Sequence, residues 1–187
     1  MRKLSIDELN RMSVADFKTA PKVPVTVILD NVRSMHNVGS VLRTADAFRV
    51  EKVYCCGITP TPPHREIRKT AIGAEESVDW EKREDTLTLI HELKDRGYII
   101  LSIEQVDESL SLSSFETDSQ GKYAVVLGHE IQGVSDAVIA LSDYAIEIPQ
   151  FGTKHSLNIS VATGIVLYKL ILEGIEALQL KEDSTHE

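Results

Sequence analysis

Three stretches of the chain combine apolar runs with polar and glycine residues that could bind or transform a ligand. NVGSVLRTADAF at 37–48 is an amphipathic helix pattern with one arginine, Arg43, which is either a surface residue or directed at a site or a phosphate. VVLGHEIQGVS at 125–135 places two glycines around a His-Glu pair. SLNISVATG at 156–164 puts serine and asparagine into the first turn of an apolar helix. Such residues either cap helices and form turns or hydrogen-bond to a ligand.

The His-Glu pair does not fit a zinc-binding HExxH helix, because that motif needs histidine at the position of Gly133. Gly128 directly follows a buried strand pattern, where glycine either lets the backbone approach a ligand or forms an ordinary turn. Cys55 and Cys56 are adjacent, and the chain has no further cysteine for a metal site or a disulfide framework. We therefore expect no bound metal, and two buried thiols on opposite faces of a strand.

IPQFGTKHSLN at 148–158 partly matches two catalytic motifs, and both matches are incomplete. The GK[ST] order of a phosphate-binding loop is absent. No G-x-S-x-G turn surrounds Ser156, so a serine nucleophile paired with His155 is disfavoured, and Ser156 is well explained as the N-cap of the final helix. Asn158 is harder to explain by helix formation alone, because its amide competes with the helix backbone.

Alternating strand and helix patterns position these stretches and predict an α/β domain with a mainly parallel sheet. The predicted strands lie at 24–30, 51–57, 77–82, 98–104, 122–128 and 144–149. The predicted helices lie at 3–18, 37–48, 64–72, 85–97, around 135–142 and at 156–178. Because ligands bind such sheets beyond the carboxyl ends of the strands, we expect the site in the loops after TVILD, ILSIE, VVLG and IEIP.

The length of 187 residues, with 42% hydrophobic and 26% charged residues, is typical of one globular domain. We expect an N-terminal helical lead at 1–22, a main domain at 23–178 and an acidic flexible tail at 179–187. No apolar run reaches the ~18 residues of a membrane span, and the chain does not begin with a signal-peptide pattern. We therefore expect a cytoplasmic protein without a membrane partner.

The net charge of −9 argues against a general nucleic-acid binder, because neutralising phosphates needs clustered lysine and arginine. The acidic residues concentrate, however, from Glu173 onward and in EQVDES, whereas HREIRK at 64–69 is locally basic. This segment is either a basic patch on an acidic body or a solvated helix face.

The three polar stretches together resemble the ordered motifs of the SpoU (TrmH-type) family of SPOUT RNA 2′-O-ribose methyltransferases. Those motifs are Asn-x-Gly-x-x-x-Arg, a Gly-x-Glu-x-x-Gly loop, and Ile-Pro followed by Ser-Leu-Asn-x-Ser-x-Ala. RKTAIGAEE at 68–76 is similar to the segment that links the first two. The resemblance covers residues 23–175, and the three motifs in order are far more specific than any one alone.

The resemblance implies a parallel α/β sheet with a C-terminal trefoil knot, and a homodimer whose site lies near the subunit interface. It also implies S-adenosylmethionine as the cofactor and a ribose 2′-hydroxyl of tRNA or rRNA as the methyl acceptor. The compactness of the chain slightly favours tRNA. A non-catalytic RNA-binding or assembly factor that keeps the knotted fold is the alternative. A Rossmann-type enzyme acting on a small nucleotide is disfavoured, because no GxGxxG follows the first strand.

The resemblance also implies roles for individual residues. The catalytic candidates are Arg43, Asn37, Glu130, Ser156 and Asn158. The cofactor-binding candidates are Ile103, Leu127, Gly128, Gly133, Ile148, Ser156 and Leu157. Because the chain is acidic overall, RNA must be bound by local basic residues, for which the candidates are Arg33, His36, Arg65, Arg68, Lys69, Lys154 and His155.

The implied chemistry is a direct displacement at a sulfonium methyl, which needs an in-line oxygen nucleophile and no metal. A protonated guanidinium has no acceptor, so we expect Arg43 to be essential for orientation while a phosphate or a water takes the proton. Glu130 is expected to orient Arg43 or Asn37, within one protomer or across the dimer.

Overall fold

Seven strands form one sheet in the computed structural model, which describes residues 1–5, 7–118 and 120–183, and side-chain surroundings as far as residue 171. The strands are β1 (Val23–Asp30), β2 (Val50–Cys56), β3 (Trp80–Arg83), β4 (Tyr98–Ile103), β5 (Leu110–Ser111), β6 (Lys122–Leu127) and β7 (Tyr144–Glu147). Their order is β3-β2-β1-β6-β4-β7-β5, and every pairing between these strands is parallel. The predicted fold class is confirmed.

Helices cover both faces of the sheet. One face carries α1 (Val14–Thr19), α2 (Met35–Ala47), α3 (Arg65–Ala71), α4 (Ala74–Ser77) and α7 (Ile159–Asp183), and the other carries α5 (Thr86–Asp95) and α6 (Asp136–Leu141). Cys55 enters the first core and Cys56 the second, as predicted. Burial raises the pKa of Cys55 to about 11 and that of Cys56 to about 12, so both free thiols stay protonated at neutral pH.

The single helix predicted at 3–18 is wrong. A capping box forms within SIDE, but only a 3-10 turn follows it, at Asp7–Leu9. Asn10 takes a left-handed conformation with a φ of 45°, which interrupts the helix. Ser13 then starts α1 as a separate N-cap.

Helix α7 differs from its predicted bounds at both ends, because it starts at Ile159 rather than near Ser156 and runs to Asp183 rather than Leu178. Residues 184–187 of the predicted tail lie outside the described residues. The short elements α4 and β5 were not predicted, because neither is long enough to show a periodicity. No helix in the described ranges is both long and apolar enough to cross a membrane.

Candidate active site

A cavity of about 560 Å³ opens at the carboxyl ends of β4, β6 and β7, which are neighbours in the sheet. Its walls are the loops after these strands, the first turn of α7 and one side chain of α2. The lining includes most of the candidates named from the sequence: Asn37, Ile103, Leu127, Gly128, Glu130, Gly133, Ile148, Ser156, Leu157 and Asn158. The structure thus brings parts of all three polar stretches to one edge of the sheet.

The loop after β6 folds back on itself between His129 and Gly133. His129 N donates to Gly133 O at 2.9 Å, and Gly133 N donates to His129 O at 2.8 Å. A Cβ at Gly128 would lie 2.1 Å from the backbone of Gly133. Gly133 itself has a φ of 71°, and a Cβ there would lie 2.1 Å from Glu104 Oε2. The turn therefore requires both glycines, and the turn is a wall of the cavity.

Glu130 joins this turn to the start of α2. Its Oε1 accepts hydrogen bonds from Ser34 N at 2.9 Å and Asn37 Nδ2 at 3.0 Å, and its Oε2 accepts one from Arg33 N at 3.0 Å. Partial burial raises the pKa of Glu130, but these hydrogen bonds outweigh burial and hold the pKa below its usual value. The carboxylate is therefore charged at neutral pH, next to the positive end of α2.

Replacing Glu130 with glutamine is expected to lower the melting temperature by about 2–4 °C at pH 7, because one N–H donor would then face the amide N–H₂. The depressed pKa of Glu130 means that its stabilisation is present above the ordinary carboxyl pKa and is lost as the pH falls through the folded-state pKa. The difference between wild type and Glu130→Gln should therefore shrink on acidification.

Differential scanning calorimetry from pH 7 down to about pH 3 measures this difference. Glu108→Gln is the control, because Glu108 is exposed and has no hydrogen-bond or ion-pair partner among the described residues. A difference that stays constant with pH for Glu130→Gln would contradict the role given to the carboxylate.

Two asparagines connect the first turns of α2 and α7. Asn158 Nδ2 donates to Asn37 Oδ1 at 3.1 Å, and Asn158 Oδ1 accepts from Ser160 N at 2.9 Å. Asn158 is therefore the N-cap of α7, and the sequence interpretation of Ser156 as that cap is wrong. The Ser156 hydroxyl lines the cavity and has no hydrogen-bond partner among the described residues.

Arg43 lies apart from the other four catalytic candidates. It is exposed on α2, does not line the cavity, and forms no hydrogen bond or ion pair within the described part of the chain. Glu130 is expected to orient Arg43 or Asn37, and its carboxylate contacts Asn37 and not Arg43. Helix α2 packs against α7 next to Arg43, where a Cβ at Gly164 would lie 3.9 Å from Thr44 Cγ2. Arg43 therefore borders the surface that α2 and α7 expose together.

The basic candidates for RNA binding do not form one cationic surface. Three of them pair with acidic neighbours at 2.7–3.4 Å: His36 and Lys69 with Glu66, and Arg68 with Glu75 and Glu76. Three others are exposed and form no side-chain ion pair with a described residue: Arg33, Arg65 and Lys154. Of the two interpretations left open by the sequence, the contacts of HREIRK favour a solvated helix face.

Glu104 and Gln105, which follow β4, hold the cavity loops together. The resemblance pointed to Ile103 or its neighbours at this strand end. Glu104 Oε2 accepts a hydrogen bond from Val134 N at 2.9 Å. Gln105 Nε2 donates to His155 O at 2.8 Å. The dipeptide thus links the β6 loop and the β7 loop to the end of β4. The strand-end rule pointed to this loop, but it gave no reason to choose these side chains.

The charge of the cavity lining limits the ligands that it can hold. Three carboxylates line it, those of Glu104, Glu130 and Glu147, and no lysine or arginine does so among the described residues. A phosphate-bearing ligand would lack a cation to pair with, whereas a cationic ligand would find opposite charge. The described residues contain no cluster of three histidine, cysteine or acidic side chains that could hold a metal ion.

The protein is of the α/β class with a cavity for a small molecule at the carboxyl edge of a parallel sheet. The walls of that cavity are backbone turns and carboxylates instead of a phosphate loop. The chain belongs to the SpoU rRNA Methylase family, whose model matches residues 24–168. The family resemblance drawn from the three motifs is confirmed.

Known proteins similar to the chain agree with this assignment. It is 35% identical over 149 residues to the tRNA (guanosine(18)-2′-O)-methyltransferase of Aquifex aeolicus (strain VF5), an alignment covering 76% of this chain and 66% of that protein. The crystal structure of the A. aeolicus TrmH/SpoU tRNA modifying enzyme matches with a TM-score of 0.78 at 29% identity, covering 88% of this chain and 82% of that one. The AdoMet-bound rRNA methyltransferase from Sinorhizobium meliloti matches with a TM-score of 0.74 at 25% identity, covering 81% and 57%. The chain thus spans just under two thirds of the Aquifex sequence relative and 57% of the Sinorhizobium structure.

Proposed function

We propose that this chain transfers a methyl group from S-adenosylmethionine to a ribose 2′-hydroxyl of RNA. The observation that carries the proposal is the one cavity in which the three family motifs meet at the carboxyl edge of the sheet. Membership of the SpoU family and the activity named for the Aquifex relative support it. We further propose tRNA as the substrate, in keeping with that relative's name, and the reducing cytoplasm as the place of action.

The cavity suits S-adenosylmethionine in size and charge. Its volume of about 560 Å³ lies in the range of small-molecule sites, roughly 300–1,000 Å³. The cofactor carries a positive sulfonium, which the carboxylates of the lining favour. The Sinorhizobium neighbour has AdoMet bound, at 25% identity. When bound, the cofactor supplies a methyl group on a good leaving group, so the reaction needs no metal.

The residues of the lining divide into two roles in this proposal. Backbone groups of the glycine turn and of the loop before α7 hold the cofactor, with apolar contacts from Ile103, Leu127, Ile148 and Leu157. Asn37 and Glu130 fix the start of α2, while Ser156 and Asn158 present polar groups to the reaction site. Placing the hydroxyl oxygen in line with the methyl can remove about 7–11 kcal/mol of the barrier.

We assign Arg43 the task of orienting the ribose and its phosphate. A protonated guanidinium is a strong donor with no acceptor, so a phosphate or a water takes the hydroxyl proton. Since Arg43 does not line the cavity of its own protomer, we propose that it acts at the cavity of a partner protomer.

The surface of α7 supports a homodimer. Val161, Ile165 and Tyr168 are exposed at helical spacing, on the side of α7 away from the core. Burying such side chains against a second copy would favour association, because it removes apolar surface from water. Arg43 on the neighbouring α2 would then lie at the interface. We also propose the trefoil knot of the family and the three-part division at residues 22 and 178.

Replacing Ile165 with aspartate is expected to convert the dimer to monomer at micromolar concentration, because a carboxylate would be buried without a partner. Sedimentation velocity measures the mass. Ile58→Asp is the control, because Ile58 is also exposed but lies outside this stripe. A dimer that survives Ile165→Asp would show that α7 does not form the interface.

The function is tested with labelled S-adenosylmethionine and total RNA from a strain that lacks the gene. We expect label in 2′-O-methylated nucleosides after nuclease digestion, and in tRNA before rRNA. Cofactor binding is measured separately by calorimetry. If the cofactor binds and no 2′-O-methylated nucleoside forms, the proposed activity is wrong.

A further inference from the structure

Two large apolar side chains are displayed at the mouth of the cavity. Phe151, in the loop between β7 and α7, is 99% exposed, and Ile131, in the glycine turn, is 84% exposed. Ile131 itself lines the cavity, and so do Gln150 and His155 on the Phe151 loop. The apolar pair therefore lies on two of the loops that wall the cavity.

Both loops are anchored close to these side chains. His155 O accepts a hydrogen bond from Gln105 Nε2 at 2.8 Å, which holds the loop after Phe151 to the end of β4. Ile131 N donates to His129 Nδ1 at 3.1 Å, which holds the glycine turn. A fully exposed phenylalanine on an anchored loop forgoes the burial that such a side chain normally gains. Apolar groups exposed next to a ligand site commonly bind that ligand or its neighbours.

A positive charge three residues from Phe151 points to the kind of partner. Lys154 lies in the same loop, is exposed and has no ion pair with a described residue. An aromatic face beside an unpaired lysine suits a nucleotide, whose base stacks on the ring while its phosphate meets the ammonium. RNA is bound in this way where bases are unpaired and splayed out.

We propose that Phe151 stacks on an unpaired nucleobase of the RNA, with Ile131 as a second apolar contact and Lys154 at the adjoining phosphate. The inference rests on the proposed function, since a ribose whose 2′-hydroxyl enters the cavity leaves its own or a neighbouring base at the mouth. Phe151 is thus a substrate-positioning residue, and the enzyme prefers a target nucleotide in a loop over one in a duplex.

The test measures RNA binding and methyl transfer separately. A fluorescent single-stranded RNA of about ten nucleotides, and the same sequence paired in a duplex, are titrated at fixed salt against the wild type and three variants. Phe151→Ala and Phe151→Leu are expected to weaken single-strand binding about 10-fold, whereas Phe151→Tyr, which keeps the ring, stays within about twofold. Duplex binding and S-adenosylmethionine affinity should change less than about twofold in all three variants.

A matched control removes an exposed ring elsewhere. Tyr144→Leu acts at the amino end of β7, opposite the cavity, and should leave RNA binding unchanged. Sedimentation velocity on every variant checks whether a second copy of the chain covers Phe151 instead. If the Phe151 variants lose the dimer, or if leucine binds single strands as well as phenylalanine does, stacking is overturned.

The remaining outcomes separate this inference from the proposed function. Phe151-dependent single-strand binding without any methyl transfer would retain the stacking site and reject the methyltransferase. If neither methyl transfer nor RNA binding changes in the Phe151 variants, the proposed methyltransferase activity stands and the proposed stacking site is wrong. A wild-type protein that binds no RNA rejects both.

Discussion

Replacing Arg43 with alanine is expected to lower the rate of methyl transfer about 10³-fold, while S-adenosylmethionine affinity stays within about twofold. The rate falls because the charge that orients the ribose and phosphate is lost. The affinity stays because Arg43 is proposed to contact the ribose and its phosphate and not the cofactor. Single-turnover kinetics and calorimetry measure the two quantities. Arg11→Ala, another exposed arginine without an ion pair among the described residues, is the control.

Two other outcomes would change the assignment of Arg43. A loss of cofactor affinity in Arg43→Ala would show that the residue contributes to cofactor binding and does more than orient the ribose. Full complementation of a deletion strain by Arg43→Ala, with RNA binding intact, would favour a non-catalytic RNA-binding or assembly factor.

Replacing Gly128 with alanine is expected to weaken cofactor binding at least about 100-fold, because a displacement of the order of 1 Å in a binding wall is already costly. The added Cβ would lie 2.1 Å from the backbone of Gly133, which no side-chain rotation can relieve. Calorimetric titration with S-adenosylmethionine measures the loss. Gly152→Ala is the control, because a Cβ at Gly152, in the Phe151 loop, would meet nothing within 4 Å. Normal binding by Gly128→Ala would mean that the turn does not hold the cofactor.

The two variants together test whether Arg43 acts across the dimer. A mixed dimer of Arg43→Ala and Gly128→Ala chains has one intact cavity, which faces the intact arginine of its partner. Random mixing should therefore restore about a quarter of the wild-type activity, since half of the dimers are mixed and each has one working site. If Arg43 acts within its own protomer, the mixture stays inactive.

Much of the fold was predictable because strand and helix periodicities survive in each segment on its own. The alternation of Cys55 and Cys56 between two cores follows from strand geometry, and the location of the cavity follows from the parallel sheet. The three motifs also marked most of the lining. These inferences need only local pattern and the general behaviour of parallel sheets.

The features that were missed depend on partners distant in the chain. Ser156 and Asn158 are both residue types that favour the N-cap position. Asn158 is the one that caps α7, and it also donates a hydrogen bond to Asn37, which is distant in the chain. Arg68 pairs with Glu75 and Glu76 because the chain reverses between α3 and α4. This reversal is not visible in the sequence, so Arg68 was expected to be free for RNA. Glu104 and Gln105 became meaningful only when their hydrogen-bond partners in the other two loops were known.

The contacts of Glu130 have a mechanical consequence. One carboxylate connects the turn that walls the cavity with the first residues of α2, and the same helix carries Arg43 in its next turns. If a ligand displaced the turn, the Glu130 hydrogen bonds would carry the displacement into α2 and so to the position of Arg43. In the proposed dimer, the occupancy of one cavity would then influence the arginine that serves the neighbouring cavity.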